Sequence, residues 1–291
     1  MRSRTPGDLP LILSLTVAMG LAGAPATAAP EIVAAGDIAC PGSPCEPQRL
    51  TARLVSRIDP DAVLTLGDHQ YERGALEDFR SSYDPTWGRF RSRTRPTPGN
   101  HEYLTPGAGG YFSYFGRRAR PDGNDTYSFR LGRWHVVSIN TGAGPIGPAQ
   151  LRWVRRDLRR DDHACELAYW HHPRWSSGRG HGSDRSMAPL WRALVRAGVD
   201  VVLNGHEHSY ERFAPMTARG RVAPRQGMRE FVVGTGGASL HPMGRGIRGS
   251  QRRIDDAWGV LRLVLRPWTY GWRFKTVDGR ALDRGSHRCH R

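Results

Sequence analysis

The sequence predicts an α/β fold with an antiparallel end. Three observations carry this: short apolar runs that each stop at a polar residue, a helical repeat between the first two runs, and alternating segments near the C-terminus. Glu31-Ile-Val-Ala-Ala35 stops at Gly36-Asp37, and Ala62-Val-Leu-Thr-Leu66 stops in the same way at Gly67-Asp68. Both runs have the length and continuity of strands buried on two faces. Between them Leu50, Leu54, Val55 and Ile58 recur at helical spacing and the run ends at Asp59-Pro60, which completes a β-α-β unit with a parallel pair. Further strands are expected at Trp134–Ile139, ending at Asn140; at Glu166–Trp170, ending at His171; and at Val199–Leu203, ending at Asn204-Gly205-His206. Successive polar strand ends are where open α/β sheets build their sites.

A helix is expected before the Glu166 strand, with Leu151, Val154 and Leu158 on one face and Arg152, Arg155, Arg156, Arg159 and Arg160 around the rest. Such an arginine run is the ordinary composition of a solvated helix face. Farther on, Phe231-Val-Val-Gly234, Val260–Leu265 and Trp272–Val277 alternate like antiparallel strands, the last two joined across Pro267 to Gly271. Gly107–Gly110, Gly142–Pro148 and Ser176–Ser183 are expected to be loops. No linker, repeat or composition shift divides the chain.

With 38% hydrophobic residues spread over 291 positions, disorder and collagen-like structure are excluded. The formal charge is +16, yet all but one of the 43 basic residues are arginine, the exception being Lys275. That skew reflects coding bias as readily as polyanion binding, so the charge alone is weak evidence for nucleic acid. Arg2 and Arg4 precede an apolar stretch from Leu9 to Ala24, followed by Ala26-Thr27-Ala28. This is the layout of a secretory signal peptide over residues 1–28, leaving 29–291 as one domain, secreted or otherwise extracytoplasmic and not held in a membrane. The four cysteines can then be oxidised. Cys40 and Cys45 are close enough to close a small loop, leaving Cys165 for Cys289, although three pairings are open.

Five motifs carry chemistry: Gly36-Asp37, Gly67-Asp68-His69-Gln70-Tyr71, Gly99-Asn100-His101-Glu102, His171-His172-Pro173 and Gly205-His206-Glu207-His208. A glycine before the functional residue lets the backbone turn sharply at a strand end, and Asp, Asn, Tyr and His are donors for hard or borderline metals. Alone, a Gly-Asp is usually a turn and Tyr71 a core tyrosine; five motifs in order at strand ends are specific. His69, His172 and His241 are expected beside the site or at the surface, and His163, His287 and His290 in loops. Trp153, Trp191, Trp258, Trp268 and Trp272 are expected to pack rather than stack on bases.

With these motifs in this order, the chain resembles the calcineurin-like metallophosphoesterases and, within them, the purple acid phosphatases. Their pattern is Gly-Asp, Gly-Asp-x-x-Tyr, Gly-Asn-His-Glu/Asp, a strand ending in His, and Gly-His-x-His. The stretch Gly205–Arg212 is especially close to the purple phosphatase form. The match runs from about Glu31 to the final strands, and the amino-terminal β-domain of plant-type members is expected to be missing. The resemblance implies a four-layer α/β/β/α sandwich with two mixed sheets, and a binuclear phosphatase that attacks phosphomonoesters with a metal-bound hydroxide. It implies Asp37, Asp68, Tyr71 and His208 as ligands of a first metal ion, and Asp68, Asn100, His171 and His206 as ligands of a second, with Asp68 bridging. His101 would contact substrate phosphate and His181 would serve the leaving group.

Much of the wider superfamily has Asp-x-His at the first motif. Here Ala39 stands where that histidine would be, and Tyr71 takes its place. A phenolate ligand suits Fe(III), with Fe(II), Zn or Mn at the second position. Fe(III) with a divalent ion, set against three anionic side chains and a hydroxide, leaves one net positive charge to hold a phosphate dianion, whereas two divalent ions leave none. Expected partners are small phosphorylated substrates. An extracellular phosphodiesterase or nuclease is the first alternative, and a non-catalytic polyanion-binding protein the second.

Overall fold

The computed structural model describes Met1, residues 28–160 and residues 164–290. Of the expected signal peptide, residues 1–28, residues 2–27 lie outside the described residues, as does His163. The first sheet has six strands: β1 (Glu31–Ala35), β2 (Ala62–Leu66), β3 (Thr94–Thr97), β11 (Gly259–Leu265), β12 (Thr269–Thr276) and β13 (Ala281–Arg288), in the order β13-β12-β11-β1-β2-β3. The second has seven: β4 (Tyr127–Leu131), β5 (Trp134–Ser138), β6 (Cys165–Tyr169), β7 (Val201–Asn204), β8 (Tyr210–Phe213), β9 (Arg229–Val233) and β10 (Ser250–Ile254), in the order β10-β8-β9-β7-β6-β5-β4. Both sheets are mixed. β1, β2 and β3 run parallel and β11 antiparallel to β1, while β5, β6, β7 and β9 run parallel between antiparallel neighbours.

Helix α1 (Glu46–Ile58) forms the expected crossover between β1 and β2, with Pro47 in its first turn and Asp59, in a left-handed conformation, closing its end. A one-turn helix α2 (Leu76–Asp78) and α3 (Gly109–Phe115) build the connection around β3. Helices α4 (Pro148–Arg160) and α5 (Ala188–Ala197) contact each other. The alternation along the strands of the second sheet sorts their side chains into two cores. Val136, Leu167, Val201 and Phe231 pack into the core shared with the first sheet, and their neighbours Val137, Ala168, Val202 and Val232 pack with Val154, Leu158, Leu190 and Leu194 of α4 and α5. Two-faced burial is why these strands are continuous apolar runs in sequence.

Both disulfides expected from the spacing are formed, Cys40–Cys45 and Cys165–Cys289. The second joins the start of β6 to the residue after β13 and so ties the two sheets together. Several expectations change: Pro148 opens α4 and Thr269–Gly271 begin β12 rather than lying in connections, and β9 pairs parallel with β7 as well as antiparallel with β8. Gly109 and Gly110 open α3 rather than lying in a loop, because Gly110 packs where a Cβ would overlap the Gly74 carbonyl. His287 lies in β13, its Nε2 donating to the Pro224 carbonyl at 3.1 Å. Among the described residues, no helix is long and apolar enough to cross a membrane.

Candidate metal centre

Asp37, Asp68 and His206 each follow a glycine at the end of β1, β2 or β7, and each adopts a left-handed backbone conformation, with φ of 59°, 47° and 69°. Residues with a Cβ avoid this region at a cost of about 1–3 kcal/mol each. Hydrogen bonds between the turns hold them there. The amides of Asp37, Ile38 and Ala39 donate to the carbonyls of Gly67, Asp68 and His69 at 3.1, 2.9 and 2.9 Å, so the first two turns run side by side. The His206 amide donates to Asp37 Oδ2 and the His101 amide to Asp68 Oδ1, both at 2.9 Å. Two glycines are sterically required: a Cβ on Gly99 would overlap the Asp68 carboxylate, and one on Gly67, itself at φ 88°, would overlap the His171 ring.

All seven candidate ligands converge in two overlapping groups. In the first, Tyr71 Oη lies 3.0 Å from Asp37 Oδ1, 3.3 Å from Asp68 Oδ2 and 2.9 Å from His208 Nε2. In the second, His171 Nε2 lies 3.1 Å from the same Asp68 Oδ2, 3.0 Å from Asn100 Oδ1 and 3.2 Å from His206 Nδ1. One oxygen of Asp68 belongs to both. The far nitrogens of two histidines are committed to backbone carbonyls, His171 Nδ1 to Leu66 at 2.8 Å and His208 Nδ1 to Ser239 at 2.7 Å. That places a proton on Nδ1 and directs the Nε2 lone pair inward, the usual orientation of a metal-binding imidazole.

Each group is therefore a ring of acceptors with too few protons to satisfy it. The single phenolic hydrogen of Tyr71 can serve only one of three acceptors. In the second group, a carboxylate oxygen, an amide oxygen and two ring nitrogens face one another. A donor set of this kind fits a cation. Without a cation, a single proton on His171 Nε2 would have to serve the second group. Although burial opposes the charge, the Asp68 carboxylate pushes His171 up to about 9, and His171 in turn holds Asp68 below the carboxylate range. Burial, reinforced by Asp37 and Asp68, pushes the Tyr71 phenol upward, so only a bound cation makes it a phenolate ligand. Burial and the His171 charge depress His206, and they lower His172 to about 4.

A cavity of about 320 Å³ opens onto Asp68, Tyr71, Asn100, His206 and His208, with Asp37 and His171 fully buried beneath it. His101 and His181 both line it. His101 donates from Nδ1 to the Glu72 carbonyl at 2.5 Å, leaving Nε2 4.0 Å from Asp68 Oδ2, and its ring packs edge-on against Tyr71. His181 stacks on His206 with 4.1 Å between ring centroids. His241 also lines the cavity and stacks on His208 at 4.0 Å. His172 packs against His206 and bonds Thr141, while His69 lies fully buried beside Glu102, with Nε2 2.7 Å from Thr65.

Four buried glutamates were not singled out from sequence. Glu102 accepts the amides of Asp68 at 3.0 Å, Gly99 at 2.6 Å and His69 at 2.8 Å, and thereby fixes the turn carrying Asp68 to the turn carrying Asn100. Glu207 accepts the amides of Gly180, His181 and Gly182 at 3.1, 2.8 and 2.8 Å. Glu211 accepts Ser177, and Glu230 accepts Arg174 and Trp175. The loop carrying His181 is strapped at three points by carboxylates. Glu102 and Glu207 stand inside the quoted motifs, where a buried acid beside the ligand residues was the available signal; Glu211 and Glu230 have none.

A family model described as calcineurin-like phosphoesterase matches residues 30–210. The chain belongs to that family. It is 28% identical over 190 residues to purple acid phosphatase 15 of Arabidopsis thaliana, covering 53% of this chain and 36% of that one. It is also 28% identical over 214 residues to purple acid phosphatase 21 of the same plant, covering 64% and 47%. The chain thus spans between a third and a half of the length of these relatives. The purple acid phosphatase PPD1 from yellow lupin seeds shares the fold, with a TM-score of 0.70, 20% identity, and coverage of 89% of this chain and 53% of that one. The family's fold and its purple acid phosphatase-like branch agree with the expectation from the motifs. The family implies a dinuclear metal site, for which Asp37, Asp68 and His171 form one candidate group among the described residues.

Proposed function

We propose that this calcineurin-like phosphoesterase is an exported phosphatase that hydrolyses small phosphomonoesters with two metal ions. The observation that carries the reading is the sharing of Asp68 Oδ2 between two acceptor groups at the floor of one cavity. Asp37, Asp68, Tyr71 and His208 would hold one ion, preferably Fe(III) because of the phenol, and Asp68, Asn100, His171 and His206 a second, Fe(II), Zn or Mn. When bound, the pair supplies Lewis-acid charge for the phosphate oxygens and an acidified water at neutral or lower pH.

The chain's own residues do the rest. His101 presents Nε2 to the cavity from a ring fixed through Nδ1, suited to hold a phosphate oxygen. His181, on its carboxylate-strapped loop, would give a proton to the leaving alkoxide. A cavity of about 320 Å³ lies at the small end of ligand sites and favours monoesters of compact alcohols. Export rests on the N-terminal pattern, with cleavage near Ala28, and on two disulfides.

The test compares p-nitrophenyl phosphate with bis-p-nitrophenyl phosphate on metal-loaded protein and records metal content and visible spectrum. Faster monoester turnover, about two ions per chain and a tyrosinate-to-Fe(III) band are expected. Preferred diester turnover would overturn the substrate class, and two colourless divalent ions would remove Tyr71 from the ligand set.

A further inference from the structure

The outward face of β11, β12 and β13 carries a concentration of unneutralised charge that the metal centre does not use. Leu261, Leu263, Leu265, Tyr270, Trp272 and Phe274 are buried in the core, so the intervening residues point away from it. Those residues include Arg262, Val264, Gly271, Arg273 and Lys275, followed by Arg266 beyond β11, with Arg284 and Arg288 from β13. The strand register sets Arg262 opposite Arg273, and Arg273 opposite Arg284, in one cross-strand row. Opposed residues of a ladder lie about 4.5–5.5 Å apart at Cβ, where like charges destabilise the sheet. Among the described residues, Glu31 is the one carboxylate paired with this group; it binds Arg262 and itself neighbours Asp61. Asp283, the acid of β13, is turned inward to Arg212.

Gly271 and Ser286 stand opposite each other between the cations and leave the floor low. Three depressions of about 350, 510 and 740 Å³ follow one another along this face. The first two share Arg262, and the last two share Arg266 and Ser286. The face is remote from the metal centre at its lower end, where the Leu265 amide bonds the Pro30 carbonyl just ahead of β1, while Asp37 lies past the other end of that strand.

We propose that this face docks a linear phosphate polymer. With Arg262 held by Glu31, the opposed Arg273 and Arg284 are a cost to the free protein that a polyanion laid across the strands offsets, and guanidinium pairs with phosphate by two parallel hydrogen bonds. The aromatic residues of β12 point into the core, and Trp268, the exposed ring at the β11–β12 turn, already carries the Arg133 guanidinium on its face, so the arginine row itself offers no free ring on which a base could stack, and the ligand it suits is a chain of phosphates without bases. This inference goes beyond phosphomonoester hydrolysis and does not depend on it.

The experiment titrates metal-loaded protein with long-chain inorganic polyphosphate over a range of salt, with inorganic phosphate present in excess to occupy the metal centre. Single-stranded DNA and heparin are the comparison polymers at equal charge. The variants are Arg273→Gln/Arg284→Gln and Arg273→Glu/Arg284→Glu. Binding is expected to weaken at least about tenfold in the Gln pair, with the slope of log K against log salt reduced by about one to two, and to vanish in the Glu pair. Turnover of p-nitrophenyl phosphate should stay at its original value, and the urea midpoint should hold or rise, because a repulsive row has been relieved. Unchanged polyphosphate affinity in both pairs, or its loss on adding inorganic phosphate alone, would refute docking on this face. Tighter binding of DNA or heparin would refute the ligand class.

Discussion

Replacing Glu102 by Gln tests whether the metal centre is positioned by a carboxylate that need not touch a metal. Its two oxygens have separate duties: Oε2 accepts the amides of Asp68 and Gly99, and Oε1 accepts those of His69 and, at 3.4 Å, Gln70. An amide of the same shape offers one acceptor and one donor. Whichever way it is turned, at least two backbone N–H groups lose their acceptor and face an NH₂ group in a fully buried site. Each unsatisfied buried donor costs about 1–3 kcal/mol, so E102Q should lose about 2–6 kcal/mol of folding stability. Because the affected amides belong to the turn that aims Asp68 and to the glycine in contact with it, metal affinity should fall about 10–100-fold. Urea denaturation monitored by tryptophan fluorescence reads the first quantity, and calorimetric metal titration the second. A variant within about 0.5 kcal/mol of the original protein that binds metal equally well would refute the positioning role of Glu102.

The other predictions concern charge, covalent linkage and the His181 loop. His135, buried against Asp157 at 3.0 Å and Glu166 at 3.6 Å, has its pKa raised to about 9 by these acids against the opposing effect of burial. Its folded pKa exceeds the unfolded value, so its stabilisation is complete below about pH 6.5 and is lost as the pH rises through about 9; His135→Gln should flatten that part of the urea-midpoint profile. Replacing Cys165 and Cys289 together by Ser removes a bridge spanning 124 residues and should lower stability by about 2–5 kcal/mol in urea. His181→Ala should cut kcat by about 10²–10⁴ with metal content near normal, and Asp68→Asn should reduce occupancy at both metal positions, both measurable by steady-state kinetics alongside metal analysis.

The strands legible as continuous runs are those whose two faces are both buried, while β9, β11 and β12 were legible by alternation. β1, β2, β5, β6 and β7 lie inside their sheets and appear as continuous apolar runs. The edge strands β3, β13, β4 and β10 were all missed. Thr94-Arg-Pro-Thr97, Ser250-Gln-Arg-Arg-Ile254 and the polar β13 contain few apolar residues, because an edge strand buries less and tolerates proline. β8 was hidden by its position directly after the Gly205–His208 motif. α5 carries a legible signal of its own, with Pro189 in its first turn, Leu190 and Leu194 on one face, and Gly198 at its end. At the site, residue type and order were sufficient to nominate the seven side chains that converge, because metal-binding chemistry restricts the choice of residue. The glutamates beneath them escaped because a buried acid that accepts backbone amides leaves no spacing pattern.

The position of the site explains why its motifs are dispersed along the chain. Asp37 and Asp68 extend from the first sheet, and Asn100 follows its third strand; His171 and His206 extend from the second sheet. The two groups therefore lie on the seam between the sheets, where the His171 ring donates to the Leu66 carbonyl and the Gly36 amide to the Val233 carbonyl. Neither sheet could build either group alone. A cation bound by such a set links the two sheets directly, and its binding free energy is also folding free energy. The left-handed conformations at Asp37, Asp68 and His206 are tolerable for the same reason: each is clamped by hydrogen bonds from a neighbouring turn, and Asp37 and His206 clamp each other across the seam. The fold supplies the strained geometry, and the residues that converge at the seam help to hold the fold's two halves together.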